Sequence, residues 1–67
     1  MKSSIKIPSM KSSEDIIKIK KAISSNEGVI ACEISKEKGE VNIVYDNYFV
    51  ELDDIITSIE DLGYIVL

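Results

Sequence analysis

The period of the apolar residues, more than any single motif, restricts what this 67-residue chain can fold into. Ile5 and Ile7 alternate with polar neighbours over residues 3–7, as a half-buried strand requires. Pro8 closes that strand because it has no N–H to give to a ladder. Ile16, Ile19 and Ile23, with Ala22 beside them, then recur at helical spacing, and Lys18, Lys20 and Lys21 lie off the stripe. Gly28 ends this helix. Residues 29–34 and 41–45 read as two strands joined by a polar, glycine-bearing hairpin connection at 35–40. Ile30, Cys32 and Ile34 are in phase in the first, and Val41, Ile43 and Tyr45 share a face in the second. Asp46 and Asn47 break the pattern. A second helix is predicted over 51–62, with Leu52, Ile55, Ile56, Ile59 and Leu62 on its apolar stripe and Gly63 as its stop. Residues 64–67 complete the series as a last strand.

The order strand, helix, strand, strand, helix, strand makes this an α+β chain. Its natural two-layer solution is a ferredoxin-like βαββαβ sandwich, a four-stranded antiparallel sheet with both helices on one face. The length fits one domain, residues 1–67, close to the lower limit for a chain that folds on a single core.

What is missing narrows the function. There is no histidine and no tryptophan, and all eight basic residues are lysines. The chain therefore lacks an imidazole base, an imidazole metal ligand and a bidentate guanidinium clamp, which argues against an enzyme. One cysteine excludes an internal disulfide, and no apolar run suits a membrane span or a leader peptide, so a cytoplasmic location is expected. Charge divides along the chain. Residues 1–24 carry six lysines against two acids, and residues 25–67 carry two lysines against ten acids. That split suits either two solvated helix faces or a surface steered by charge toward a partner.

The segment Pro8-Ser9-Met10-Lys11-Ser12-Ser13-Glu14-Asp15 opens the first helix. Ser12 is suited to its N-cap and Asp15 to the third helical position, which together make a capping box. Glu14 and Asp15 also place negative charge where the helix dipole favours it. Met10 with its spacer Lys11, the distance from Asp15 to Gly28-Val29, Tyr45-Asp46 and the closing Gly63-Tyr64 together resemble the heavy-metal-associated domains of copper chaperones and metal-transporting ATPases. In that family a Cys-x-x-Cys pair follows the methionine, and here Ser12 and Asp15 stand at the two cysteine positions. Paired thiolates would hold Cu(I), Zn(II) or Cd(II), whereas a serine hydroxyl is a poor ligand, and Glu14 with Asp15 fall far short of a calcium shell.

The resemblance implies that Met10 tucks into the core beneath the loop and that Tyr64 lies against the loop. On the residues alone, Tyr64 is equally a rim residue with its hydroxyl in water. Cys32, the lone thiol, matches a position that is usually apolar and inward-facing in that family, and is expected as a buried small hydrophobe of the second strand in phase with Ile30 and Ile34. RNA-recognition domains and acylphosphatases share such a fold, but the outward Asn42 and Val44 offer no stacking aromatics, and no arginine is present.

The reading favoured is a degenerate member of the family, without resident cofactor, acting as a docking module. Ser9, Lys11, Ser13, Lys18, Lys21 and Tyr64 would meet an acidic protein partner, such as a metal-transport ATPase domain or another protein of the same pathway. No nucleic acid is expected, and the chain is expected as a monomer or weak dimer. Two alternatives stay open. One is a heavy-metal carrier that binds Cu(I) or a similar ion through Met10 and Asp15 with a ligand from a partner. The other is a regulatory module that dimerises around a small molecule.

Overall fold

A computed structural model describes residues 1–67. The elements are β1 (Lys2–Lys6), α1 (Ser13–Ser24), β2 (Val29–Ser35), β3 (Glu40–Tyr45) and α2 (Leu52–Glu60). The strands form one antiparallel sheet in the order β1-β3-β2. Ile5 stands opposite Val41 and Ser3 opposite Ile43 on one side of β3, and Cys32 stands opposite Ile43 on the other. The two-residue period of β3 divides its faces, because Val41, Ile43 and Tyr45 are buried while Asn42 and Val44 are half-buried on the reverse. Ile5, Ile7 and the inward face of β3 meet Ile19 and Ile23 of α1 and Ile55 and Ile59 of α2 in one core that contains no buried polar residue. Asn26, just beyond α1, donates from its side chain to the Ala22 carbonyl at 3.0 Å and to Ser58 Oγ at 3.2 Å, tying the end of α1 to α2.

The expected fourth strand does not form. Residues 64–67 make one ladder hydrogen bond, from Leu67 N–H to the Lys6 carbonyl at 2.9 Å, and a strand needs that bond repeated. The sheet therefore has three strands rather than four, and the two-helix α+β plan stands.

Two expected core residues are outside. Val29 pairs with Tyr45 and Ala31 with Val44, so Ile30 is an extra residue in a β-bulge and is 70% exposed rather than in phase with Cys32. Cys32 and Ile34 pack half-buried against the core. The second helix ends at Glu60, two residues before the expected end. Leu62 then falls in the following turn, off the stripe, and is exposed. Gly63 takes a φ of +98°, a conformation a side chain disfavours, which accounts for a glycine at this stop.

Candidate functional site: the loop before the first helix

The loop is held from both ends. Ile7 N–H donates to the Gly39 carbonyl at 2.7 Å, and Met10 N–H turns back to the Ile7 carbonyl at 3.1 Å. Met10 is 2% exposed, so its thioether belongs to the core under the loop. Ser12, extended at φ −114°, is the N-cap of α1. Its Oγ accepts the Asp15 N–H at 3.1 Å, and Asp15 Oδ2 accepts the Ser12 N–H at 3.1 Å and the Lys11 N–H at 3.0 Å. The capping box read from the sequence is thus complete, with a third donor added from Lys11.

Asp15 has a further partner that local sequence does not reveal. The Tyr64 hydroxyl donates to Asp15 Oδ1 at 2.5 Å across 49 positions of chain. Each carboxylate oxygen is now engaged, Oδ1 by a phenol and Oδ2 by two backbone N–H groups. The Tyr64 bond, followed by the Lys11 and Ser12 amides, holds the Asp15 carboxyl well below the usual carboxylate range. The same bond raises the Tyr64 phenol above its ordinary value, because losing the phenolic proton would leave two anions in contact. Tyr64 therefore lies against the loop as the resemblance implied, and its hydroxyl is bonded to protein.

The remaining candidates are spread over the surface around this centre. Ser9, Lys11, Ser13, Lys18 and Lys21 are all exposed, the last three on α1. The fold adds two lysines that the charge division along the chain assigned to its acidic part. Because Gly39 receives the Ile7 N–H, the β2–β3 hairpin lies beside the loop. Pro8, Met10 and Lys11 then face Lys36, Glu37, Lys38 and Gly39 across an open cleft of about 650 Å³. Only the register of β3 against β1 brings these residues together, and no local motif announces it. No three histidine, cysteine, aspartate or glutamate side chains converge as a possible ligand set.

These features define a class: a small α+β sandwich whose distinctive loop sits at the start of the first helix, above a buried methionine. The chain belongs to the heavy-metal-associated domain family, whose pattern it matches over residues 4–64. Among solved structures, apo-CopP from Helicobacter pylori is 30% identical with a TM-score of 0.90, each chain covered in full. The CopZ metallochaperone is 24% identical with a TM-score of 0.95, also covered in full. A copper-binding domain of a P-type ATPase is 21% identical with a TM-score of 0.92, over 98% of this chain and 89% of that one. The last two likenesses establish the fold. No curated protein matches the chain by sequence. No helix is long and apolar enough to cross a membrane.

Proposed function

We propose that this chain is a heavy-metal-associated domain that docks to a protein of a metal-handling pathway without carrying the metal itself. The observation that carries the reading is the commitment of Asp15, whose two oxygens already accept three hydrogen bonds. A cation seeking that carboxylate would have to displace them and would find at the other cysteine position the hydroxyl of Ser12, itself engaged as a cap. The loop so held is a fixed surface. Lys11, Lys36 and Lys38 line its cleft, and Lys18 and Lys21 extend the positive charge along α1. Such a surface favours an acidic protein partner, and an ATPase metal-binding domain of the kind it resembles is a candidate. The absence of imidazole and guanidinium supports a binding role over a catalytic one.

The test has two arms, both read by amide NMR under reducing conditions. Titration with Cu(I), Zn(II) or Cd(II) is expected to leave Met10 to Asp15 unshifted, whereas Ser12→Cys/Asp15→Cys acquires Cu(I) in a chelator competition. Micromolar or tighter binding by the natural chain, with shifts centred on Met10 to Asp15, overturns the metal-free reading. A synthetic peptide alternating glutamate and leucine is expected to shift Lys11, Lys36 and Lys38, and the double charge reversal Lys11→Glu/Lys36→Glu to weaken it about tenfold. Unchanged affinity in that variant removes the docking assignment.

A further inference from the structure

The end of the sheet opposite the loop carries the largest exposed side chains of the molecule. Tyr48 is 86% exposed and Phe49 is 60% exposed, with their rings edge to face at 5.2 Å. Such a pair buries well and is seldom left in water without a partner. Its position is fixed rather than incidental. Asp46 N–H donates to the Gly28 carbonyl at 2.8 Å, and Asp46 Oδ1 accepts the Tyr48 N–H at 2.9 Å. Phe49 packs so closely on Gly28 that a Cβ added there would stand 2.8 Å from its own. Two residues beyond Gly28, the bulge leaves Ile30 70% exposed. The patch is apolar and anchored by buried Val50.

Its surroundings are acidic. No basic residue follows Lys38, and the segment bearing the aromatics runs Asp46, Asn47, Tyr48, Phe49, Val50, Glu51, Leu52, Asp53, with Glu27 adjoining Gly28. The nearest cations along β1 are the Met1 ammonium, which donates to the Tyr45 carbonyl at 2.7 Å, and Lys2, which stands opposite Val44 on the sheet. Because β1 and β3 are antiparallel, the loop at the end of β1 and the 46–50 turn at the end of β3 lie at opposite ends of the molecule.

We propose that the Tyr48–Phe49 corner is a second docking surface, whose occupant is a basic protein segment carrying an apolar anchor. Lysine or arginine side chains of that segment lie over the two rings and toward Glu27, Glu51 and Asp53, and its apolar residue covers Phe49 and Ile30. The same acids turn away nucleic acid and anionic lipid surfaces. With the loop end suited to acidic partners, the domain bridges two proteins of opposite charge.

Three peptides test this at low salt by amide NMR: acetyl-Lys-Leu-Lys-Trp-Lys-Leu-Lys-amide, its glutamate counterpart, and a lysine–serine peptide without apolar residues. The first is expected to shift Gly28, Ile30 and residues 47–50, and to bind at least fivefold more tightly than the lysine–serine peptide. Tyr48→Ser, at a position open enough to leave the fold intact, is expected to weaken it at least fivefold, and the glutamate peptide to leave this corner unshifted. The proposal falls if the lysine–leucine peptide shifts acidic residues evenly over the surface. It falls equally if Tyr48→Ser binds like the natural chain, if no shift appears at millimolar peptide, or if the glutamate peptide shifts the same corner. None of these results bears on the loop at the other end.

Discussion

Ser12→Ala isolates the cap that holds the loop. It removes one acceptor, the Oγ that receives the Asp15 N–H at 3.1 Å, and leaves in place the return bonds from Lys11 and Ser12 amides to Asp15. Ser12 is exposed, so the freed N–H can turn to water and the cost is that of a lost cap, about 1 kcal/mol. In a domain of this size about 1 kcal/mol lowers the melting temperature by roughly 4–8 °C. Ser12→Gly, which caps through its conformation, should cost only a few tenths of a kcal/mol, and Ser12→Asp should restore the acceptor and most of the stability. Thermal unfolding followed by circular dichroism at 222 nm gives the series, and amide exchange at Asp15 should quicken in Ser12→Ala and Ser12→Gly, which both lack the acceptor, but not in Ser12→Asp. If Ser12→Ala melts with the natural chain, or if Ser12→Asp is as unstable as Ser12→Ala, the loop is not held by this cap.

Tyr64→Phe removes the phenol from Asp15 and should let the Asp15 carboxyl rise toward its ordinary value of 3.8. A carboxyl depressed in the fold contributes stability that is present above its unfolded pKa and lost as pH falls toward its folded one. The natural chain should therefore lose stability as pH drops below about 4, and Tyr64→Phe should lose less over that interval, as read by urea unfolding against pH. The Tyr64 phenol is raised, so its contribution is present below about 10 and lost above, and that alkaline loss should vanish in the variant. Gly28→Ala and Gly63→Ala impose similar backbone strain, at φ +99° and +98°, of about 1–2 kcal/mol each. Only Gly28→Ala adds a clash, with Phe49 Cβ at 2.8 Å and Val50 at 3.1 Å, worth about 1–3 kcal/mol more. Equal melting temperatures for the two variants would show that the Phe49 corner yields freely.

Features that rest on neighbours in sequence were legible before the fold. The stripe of Ile16, Ile19 and Ile23, the cap at Ser12 with Asp15, and the glycine stop after α2 each depend on residues within a few positions. A helix completes its hydrogen bonds within itself, so its period and its caps carry the needed information. The inward face of β3 was legible because it is central, paired on both sides and strictly alternating. The lone cysteine was legible on its strand, but its expected full burial is not met. β2 is an edge strand, and Cys32 is half-buried there.

The sequence by itself determined the order of the first five elements, the two apolar faces that must meet, and the capped helix start where Ser12 and Asp15 stand. Tertiary structure alone decided the rest, because each remaining feature depends on a partner far along the chain. Residues 64–67 are an apolar run that suits a strand, but pairing with β1 stops at a single bond. Ile30 left the core because β3 offers one residue opposite two of β2, a fact of register that no local pattern records. Asp15 reads as a cap from its neighbours, but only the fold delivers the Tyr64 hydroxyl to its second oxygen. Lys36 and Lys38, which lie in the acidic part of the sequence, reached the loop only because the hairpin folds beside it. Short-range hydrogen bonds fix what a segment becomes, and long-range pairing fixes which side chains it meets.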